Sequence, residues 1–333
     1  MPELSAKTKP VALICGVSGQ DGAYLAKLLL DRGCRVVGTS RDAQTCSFDN
    51  LTRIGVRDQL ELASMADNDF PGVVQMLARY EPQEVYHLAG QSSVGLSFEQ
   101  PVDTFESIGL GTLNWLEAIR QTGQPVRFFS AGSSECFGDT QGMPANEQTR
   151  FQPRSPYAAA KASAFWLVSS YRAAYGLFAC TGILFNHESP LRPERFVTQK
   201  IVRAACRIAA GSREKLQLGK LNINRDWGWA PDYVDAMVRM LQCDTPEDFV
   251  IATGETHALA DFVAEAFQAV GLDWRDHVIT DPALMRPNDL SISHANPALA
   301  AEKLGWRASM RMPGVVHAMV AAEQARTVKP PAP

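Results

Sequence analysis

The side chains best suited to chemistry are Tyr157 and Lys161, which lie four positions apart in Ser155-Pro-Tyr-Ala-Ala-Ala-Lys161. Ser155 can cap a helix and Pro156 can take its first position, so the spacing predicts that both side chains share one helical face. A tyrosine phenolate can take a proton from an alcohol, and a nearby ammonium or a cationic nicotinamide ring lowers the pKa of the phenol. The pair alone is also typical of an ordinary surface helix, so other residues must support this chemistry.

A second polar group follows an apolar strand that begins at Phe128. The strand ends in a glycine and serine turn that carries Ser133, Ser134 and Glu135. A hydroxyl can align a substrate alcohol, and a carboxylate can act as a general acid or base. Glu135 could instead form a salt bridge at the strand end. A carboxylate two residues from a cofactor-side serine is unusual among simple reductases, and this favours catalysis.

A glycine-rich turn lies near the start of the chain. The apolar segment 10–15 reads as a buried strand, the segment 23–30 has helical periodicity, and Gly16, Gly19 and Gly22 lie between them. Glycines at such a junction allow a tight turn and let backbone N–H groups face a pyrophosphate. The spacing G-x-x-G-x-x-G differs from the commoner G-x-G-x-x-G, but its place after the first strand predicts a dinucleotide site.

The end of the second predicted strand, 35–39, carries Ser40 and Arg41 instead of an acidic residue. A carboxylate at this point binds the ribose hydroxyls of NAD, whereas an arginine pairs with the 2′-phosphate of NADP. Arg41 therefore predicts NADP, while the adjacent Asp42 leaves NAD as the alternative. Another strand, 84–90, ends in small residues that would let a nicotinamide ribose approach.

Strands alternate with helical patterns at 111–120, 156–175 and 232–242. This alternation predicts an α/β fold, a doubly wound parallel Rossmann sheet that binds ligands at its carboxyl edge. After the apolar strand 178–185 the pattern becomes polar and proline-containing, and a smaller C-terminal α/β substrate domain is expected to begin there. The expected bounds are 10–187 with 221–255 for the NADP-binding domain, 188–220 with 256–326 for the substrate domain, and 1–9 with 327–333 for loose termini.

Two arginines lie in loops of the second half: Arg225 in Asn224-Arg-Asp-Trp-Gly228, and Arg286 in Met285-Arg-Pro-Asn-Asp289. A planar guanidinium can hold a phosphate through two hydrogen bonds. Either arginine alone could be structural. Because the Rossmann half already accounts for one dinucleotide, the two together predict a second diphosphate, that of the substrate.

Composition narrows the class of protein. The chain has 333 residues, 46% of them hydrophobic, with a net charge of −4 and a pI near 5.9. This balance argues against nucleic acid or an anionic membrane as a partner. No apolar run approaches the ~20 residues of a membrane helix, and the polar start lacks a signal-peptide core, so a cytoplasmic enzyme is expected. The seven cysteines contain no C-x-x-C, which argues against a zinc site or a disulfide framework.

Beyond these features the chain contains longer strings, among them Gly19-Gln-Asp-Gly-Ala-Tyr-Leu-Ala26, Pro153-Arg-Ser-Pro-Tyr157, Gly182-Ile-Leu-Phe-Asn-His-Glu-Ser-Pro190, Phe196-Val-Thr198 with Lys200, Arg225-Asp-Trp-Gly228 and Asp248-Phe-Val-Ile-Ala-Thr-Gly254. Together with the glycine turn, the Ser134 region and the Tyr157/Lys161 pair, they resemble the extended short-chain dehydrogenase/reductase family. Within it, they resemble the GDP-mannose 4,6-dehydratases over nearly the whole chain.

Several positions depart from the family's pattern. Ser133 stands where the dehydratases carry threonine, and Arg41-Asp42 replaces a pair of arginines that bears on both NADP binding and a tetramer. Ser64 replaces an acidic residue near the adenine. The usual Arg-Pro-x-Glu ends here in Asp289, so the contact to the substrate nucleoside is one methylene shorter and the nucleotide sugar can differ.

The resemblance implies a lyase that converts GDP-mannose to GDP-4-keto-6-deoxymannose by internal hydride transfer through bound NADP, and a homodimer or homotetramer. Tyr157 would take the proton of the sugar 4-hydroxyl, with Lys161 lowering its pKa and Ser133 aligning the hydroxyl. Glu135 would remove the 5-proton. Water would then leave from the 6-position with acid help from Glu135 or Ser134.

Site residues are implied in three groups. The catalytic residues are Ser133, Ser134, Glu135, Tyr157 and Lys161. The cofactor-binding residues are Gly16, Ser18, Gly19, Gln20, Asp21, Gly22, Arg41, Leu88, Ala89, Gln91, Tyr157, Lys161, Leu184, Asn186, His187 and Arg192. The substrate-binding residues are Ser93, Glu135, Asn186, Glu188, Val197, Lys200, Gly219, Arg225, Arg286 and Asp289. No metal site is expected.

Two alternatives remain open. An NADPH-dependent 4-ketoreductase or epimerase of a GDP-linked 6-deoxyhexose would need only a serine, Tyr157 and Lys161, and Glu135 argues against it. A non-enzymatic dinucleotide-binding relative would have the same fold, because fold alone does not establish function. Retention of Tyr157, Lys161 and Glu135 together argues against this non-enzymatic alternative.

Overall fold

The structure, a computed structural model, describes residues 9–284 and 290–328. The strands are β1 (Val11–Cys15), β2 (Arg35–Ser40), β3 (Glu61–Ser64), β4 (Glu84–His87), β5 (Arg127–Ala131), β6 (Ala179–Leu184), β7 (Asn186–Glu188), β8 (Leu216–Leu218), β9 (Asn224–Arg225), β10 (Trp227–Trp229), β11 (Phe249–Ile251), β12 (His257–Ala258) and β13 (Val278–Thr280).

The α-helices are α1 (Gln20–Asp31), α2 (Asp49–Arg53), α3 (Phe70–Tyr80), α4 (Val94–Glu99), α5 (Pro101–Phe105), α6 (Gly111–Thr122), α7 (Pro156–Tyr175), α8 (Val197–Ala209), α9 (Ala230–Gln242), α10 (Leu259–Gln268), α11 (Ala298–Lys303) and α12 (Met312–Val328). A π-helical turn, Glu106–Leu110, joins α5 to α6. A 3₁₀ turn, Ser134–Phe137, follows β5.

The central sheet has seven strands in the order β11-β6-β5-β4-β1-β2-β3. Every pairing in it is parallel, from Val11 opposite Arg35 to Phe249 opposite Gly182. The chain moves from β1 outward to β3 and then returns to place β4 on the other side of β1, which is a topological switch point. The doubly wound α/β fold predicted from the sequence is therefore confirmed, and ligands bind such sheets in the crevice at that point.

Helices cover both faces of the sheet, and neighbouring side chains of β1 show why. Leu13 and Ile14 are both fully buried, but Leu13 belongs to the hydrophobic cluster that contains Trp115 of α6, whereas Ile14 belongs to the one that contains Met237 of α9. Successive side chains of a strand point to opposite faces, so an uninterrupted apolar run needs cover on both sides. Burying each such side chain contributes about 1.5–3 kcal/mol.

A separate hydrophobic cluster holds the second part of the chain together. It is built from α8, α10 and α12, with Ile201, Phe262 and Val316 fully buried at its centre. Its independent packing is consistent with the expected substrate domain, whose bounds remain a prediction. Within the described ranges, none of the helices is long and apolar enough to span a membrane.

Candidate active site

The glycine turn after β1 packs closely against the backbone around it. Gly16 has φ +80°, and a Cβ on Gly22 would lie 2.5 Å from the carbonyl oxygen of Gly16, so both positions require glycine. Helix α1 begins at Gln20, three residues before the segment 23–30 in which the sequence shows helical periodicity. No side chain caps the helix. The first N–H groups of this 12-residue helix are therefore available to an anion, and the turn fits a dinucleotide pyrophosphate.

Helix α7 presents Tyr157 and Lys161 as the spacing predicted. The hydroxyl of Ser155 accepts a hydrogen bond from the Ala158 N–H at 3.1 Å and caps the helix. Tyr157 and Lys161 are each only 8% exposed. The Lys161 ammonium donates to the Ala131 carbonyl at the end of β5, at 2.7 Å, and this contact ties α7 to the sheet edge.

Burial dominates the electrostatics of this pair. It lowers the pKa of Lys161 from the usual 10.5 to about 8, because the charged form loses solvation. It also raises the pKa of Tyr157 above its usual value, although the hydrogen bond with Ser133 acts in the opposite direction. Desolvation of the phenol outweighs the groups that lower its pKa, and the Lys161 ammonium donates to the Ala131 carbonyl oxygen, so the expectation that Lys161 lowers the pKa of Tyr157 stays a prediction.

The 3₁₀ turn after β5 positions the second polar group. Ser133 is its N-cap, and its hydroxyl accepts a hydrogen bond from the Glu135 N–H at 3.3 Å. Ser133 and Ser134 are buried, whereas Glu135 is half-buried. All three line the same cavity as Tyr157, so the turn brings a carboxylate and two hydroxyls to the phenol.

That cavity, of about 260 Å³, opens at the carboxyl edge of the sheet. The predicted residues that line it are Asp21, Leu88, Ser93, Ser133, Ser134, Glu135, Tyr157, Lys161, Leu184, Asn186, His187, Glu188, Arg192, Val197, Gly219 and Arg225. Those that lie away from its wall are Gly16, Ser18, Gly19, Gln20, Gly22, Arg41, Ala89, Gln91 and Lys200. The expected substrate residues Arg286 and Asp289 lie outside the described residues.

Two of the residues away from the wall make contacts elsewhere. The Gln91 amide donates to the Ser93 carbonyl oxygen at 2.7 Å and shapes the loop after β4. The Lys200 ammonium donates to the Gln217 carbonyl oxygen at 2.7 Å in an exposed setting. The prediction that Lys200 binds substrate therefore has no support from the cavity geometry, because its charge is directed toward β8.

The end of β2 carries Arg41, which is exposed. The adjacent Asp42 carboxylate accepts hydrogen bonds from the N–H groups of Gln44 and Thr45 and from the Thr45 hydroxyl. These bonds lower the pKa of Asp42 and hold its carboxylate within its own loop. Of the two charged side chains at this strand end, Asp42 is therefore the one that is held by its own loop.

A contact between a histidine and a carboxylate joins the first turn of α1 to β7. The His187 Nε2 lies 2.8 Å from the Asp21 carboxylate, and Nδ1 lies 2.7 Å from the Phe185 carbonyl oxygen. The imidazole stacks on Tyr233 with ring centres 4.3 Å apart. The Gln20 amide donates to the His187 carbonyl oxygen at 3.1 Å.

The opposite wall of the cavity is arginine-rich. Arg225 is 7% exposed and donates to the carbonyl oxygens of Asn224 and Leu290 at 2.9 and 2.8 Å. Glu188 is 2% exposed, lies 3.1 Å from the Arg192 Nε and accepts from the Thr198 hydroxyl at 2.8 Å. Two hydrogen bonds fix Arg225 at the cavity wall, and Arg192 is held there by its ion pair with Glu188.

Sequence reasoning did not identify every residue of the wall. Arg195, Phe196, Thr198, Lys220 and Trp227 also line the cavity. Phe196 and Thr198 belong to a string that carried the family resemblance, so the motif could have identified them. Nothing local distinguished Arg195 or Lys220 from solvated surface cations.

Comparisons with known proteins identify the family of this chain. A family model described as GDP-mannose 4,6 dehydratase matches residues 13–319. The chain is 43% identical over 324 residues to GDP-mannose 4,6 dehydratase 1 of Arabidopsis thaliana, covering 94% of this chain and 90% of that protein. It is 43% identical over 325 residues to GDP-mannose 4,6-dehydratase of Sinorhizobium fredii (strain HH103), covering 90% of this chain and 92% of that protein. It is 39% identical over 342 residues to the Homo sapiens GDP-mannose 4,6 dehydratase, covering 95% and 92%.

Solved structures are similar as well. UDP-glucose 4-epimerase of Thermus thermophilus in complex with NAD superposes with a TM-score of 0.82 and 28% identity, covering 94% of this chain and 99% of that one. DesIV of Streptomyces venezuelae, a dTDP-glucose 4,6-dehydratase with NAD and TYD bound, has a TM-score of 0.84 at 19% identity, covering 96% and 98%. RMD of Pseudomonas aeruginosa complexed with NADPH has a TM-score of 0.79 at 20% identity, covering 96% and 100%. The last two show likeness of fold alone.

Proposed function

Since this chain belongs to the GDP-mannose 4,6-dehydratase family, we propose that it converts GDP-mannose to GDP-4-keto-6-deoxymannose by internal hydride transfer through bound NADP. The observation that supports this most directly is that Glu135 shares one cavity with Tyr157 and Lys161. A simple reductase needs the tyrosine and lysine, whereas removal of water also needs a base for the 5-proton. The cavity holds both sets of groups.

Oxidation at the 4-position rests on Tyr157. Its phenolate takes the proton of the sugar 4-hydroxyl, and Ser133, which bonds to the phenol, aligns that hydroxyl. Burial opposes formation of the phenolate, so a neighbouring positive charge is required at the moment of reaction. The nicotinamide dinucleotide, when bound, supplies a cationic hydride acceptor that returns the hydride within the same turnover.

Elimination of water rests on the 3₁₀ turn. The new 4-ketone acidifies the adjacent 5-proton, and Glu135 removes it as general base. The 6-hydroxyl then leaves with a proton from Glu135 or Ser134. Because Ser133 accepts from the Glu135 N–H, the backbone that carries the base is anchored next to the residue that orients the substrate alcohol.

The preference for NADP over NAD rests on the end of β2. Arg41 can pair with a 2′-phosphate, whereas the Asp42 carboxylate is occupied by Gln44 and Thr45. Ser64, where the family has an acidic residue, accepts from the Ala43 N–H at 2.9 Å and steadies the same loop. Among Arg41, Asp42 and Ser64, therefore, no carboxylate is free to compete for the ribose hydroxyls.

The substrate diphosphate is assigned to Arg225, whose guanidinium is fixed at the cavity wall by two backbone carbonyl oxygens. A pre-positioned guanidinium loses little side-chain entropy when it binds a phosphate. Arg286 and Asp289, outside the described residues, remain the predicted partners for the diphosphate and the nucleoside.

The chain is also proposed to form a homo-oligomer, a dimer or tetramer, in the cytoplasm. Phe98, Val102 and Phe105 follow one another at spacings of four and three on α4 and α5 and are 38%, 66% and 49% exposed. Adjacent exposed apolar side chains of this size are typical of a protein interface. The occupant we propose is the same face of a second copy.

The assignment is tested by incubating the purified protein with GDP-mannose and NADP and identifying the product by NMR and mass spectrometry. The expected product has lost one water and carries a 4-ketone, with no net change in NADPH absorbance. Stoichiometric NADPH consumption with a 4-keto-6-deoxy sugar, and no loss of water from GDP-mannose, would instead assign a 4-ketoreductase.

A further inference from the structure

His187 has a hydrogen-bond acceptor at each ring nitrogen. Nδ1 faces the Phe185 carbonyl oxygen at 2.7 Å and Nε2 faces the Asp21 carboxylate at 2.8 Å. A carbonyl oxygen can only accept, so Nδ1 must carry a proton. The Asp21 carboxylate also accepts from the Gln20 amide at 3.0 Å, which favours its ionised form. An acceptor at each ring nitrogen and an ionised Asp21 are the surroundings that a doubly protonated imidazolium requires.

The position of Asp21 makes the charge of His187 important for binding an anion. Asp21 lies in the first turn of α1, beside the N–H groups that the glycine turn offers to a pyrophosphate. An uncompensated carboxylate there would stabilise the helix but repel an anionic ligand at the same place. The partner whose charge can cancel that of Asp21 comes from β7, where His187 Nε2 lies 2.8 Å from the Asp21 carboxylate.

We propose that the imidazolium of His187 neutralises Asp21, so that the N-terminus of α1 can accept the pyrophosphate of the dinucleotide, and that loss of this proton weakens cofactor binding. The proposal rests on the cofactor site of the proposed function, and it goes beyond it by assigning a charge state and a pH dependence to one pair. His187 acts here as a positioning residue.

Burial gives the pair its strength. His187 is 8% exposed, its ring stacks on Tyr233, and Ser189 donates to the Gln20 carboxamide oxygen at 2.7 Å beneath it. Burial by itself lowers the pKa of His187, but the Asp21 carboxylate raises it by more, and the net shift is upward. Burial raises the pKa of Asp21, but His187, Gln20 and Arg192 together lower it by more, so the net shift is downward.

Other charged and titratable groups face the pair from every side. Tyr24 on α1 and Tyr233 on α9 have pKa values raised by burial, so both stay neutral near pH 7. Glu188 and Arg192 follow β7 and pair with each other at 3.1 Å, and Arg192 lowers the pKa of both members of the pair. Lys161 on α7, with a pKa of about 8, interacts with Asp21 and titrates in the neighbouring range. Experiments must therefore separate His187 from Lys161.

The charge state is measured directly by NMR on protein containing ¹⁵N-labelled histidine, without added cofactor. We expect one of the six imidazoles to be doubly protonated at pH 7 and to titrate above the usual 6.5. That resonance should be missing in His187→Gln. In Asp21→Asn it should titrate at lower pH. A His187 imidazole that is neutral at pH 7 in the wild type overturns the proposal.

The consequence for binding is measured by titrating NADP into four proteins at pH 7 and low salt. His187→Gln retains an amide that can bond to Asp21 but removes the charge, and we expect its affinity to fall by about tenfold or more. Asp21→Asn together with His187→Gln should recover most of this loss, because no charge is left to neutralise. Asp21→Asn alone removes the carboxylate that needs neutralising, so it should lose less NADP affinity than His187→Gln does.

Recovery of NADP affinity in the double variant separates an effect of the His187 charge from an effect of its shape. If His187 only filled space, the double variant would bind no better than His187→Gln, and that result, with both proteins folded by circular dichroism, refutes the proposal. Raising the pH should weaken binding to the wild type more than to the double variant, which still contains Lys161. None of these measurements uses turnover, so a protein that binds NADP but does not dehydrate GDP-mannose would contradict the proposed function and leave the ion pair supported.

Discussion

The ammonium nitrogen of Lys161 lies 5.9 Å from the centre of the Tyr157 ring, and both side chains are buried. The lysine donates to the Ala131 carbonyl oxygen, and the tyrosine bonds to Ser133. The two side chains are thus held side by side by different neighbours. Burial of two titratable side chains next to each other lowers the stability of the fold, while their proximity serves the proposed chemistry.

Replacing Lys161 by Met should abolish oxidation at the 4-position and raise thermal stability at pH 7 by a few degrees. The folded state lowers the pKa of Lys161 to about 8, so it disfavours the charged form that is present at pH 7. Between pH 8 and 10 the unfolded chain binds more protons than the folded chain, and wild-type stability should rise with pH. The stability gained by Lys161→Met should therefore shrink across that range, as measured by thermal melts.

Lys200→Met is the matched control, because that ammonium donates to Gln217 in an exposed setting. It should change neither activity nor stability appreciably. A stability difference between Lys161→Met and wild type that does not vary with pH would contradict the assigned burial cost.

Glu135→Gln and Tyr157→Phe should fail at different steps. Glutamine keeps the shape but cannot take the 5-proton, so dehydration should fall by ~10²–10⁴-fold, while bound NADPH can still accumulate. Tyr157→Phe should form no NADPH. Single-turnover NADPH absorbance measures the oxidation step, and solvent-deuterium incorporation at the 5-position measures removal of the 5-proton. Glu302→Gln, at an exposed residue of α11, is the control. An active Glu135→Gln would remove Glu135 from the mechanism.

Arg41→Ala should weaken NADP binding by about tenfold and leave NAD binding nearly unchanged, because only NADP carries the 2′-phosphate. Asp42→Asn should alter the ratio of the two affinities little, since its carboxylate is bonded to Gln44 and Thr45. Titration calorimetry with both cofactors checks this. A wild type that binds NAD more tightly than NADP would show that Asp42 faces the ribose instead.

Arg225→Ala should weaken GDP binding by roughly 1.5–3 kcal/mol, the range for lost hydrogen bonds to a charged group. It should also lower stability, because Arg225 holds the carbonyl oxygens of Asn224 and Leu290. Arg239→Ala is the control, since Arg239 also donates to backbone carbonyl oxygens, those of Leu304 and Gly305, away from the cavity. Equal GDP affinity in both variants would assign Arg225 a structural role alone.

Val102→Glu should reduce the molar mass measured by light scattering to that of a smaller assembly, because it places a charge on the exposed apolar face of α5. Ile279→Glu, at a 45% exposed apolar side chain on β13, should leave the mass unchanged. A monomeric wild type, or an unchanged mass for Val102→Glu, would exclude this face as the contact between copies.

Local patterns in the sequence determined the elements that carry the site. The cap at Ser155, the first-turn Pro156 and the four-residue spacing fix the face of α7 that holds Tyr157 and Lys161. The glycines at 16 and 22 are required by the turn itself, and apolar runs such as β1 predicted the buried parallel sheet. Each of these depends on neighbours within a few residues, where spacing and backbone preference decide the outcome.

Tertiary structure alone decided the charges. Asp21 and His187 are 166 positions apart, and nothing local pairs them. The pKa of Lys161, the direction of the Asp42 carboxylate and the arrival of Arg195 at the cavity also depend on what packs around each group. Desolvation and Coulomb interaction act through space, and the distances on which they depend are set only when remote elements meet at the sheet edge.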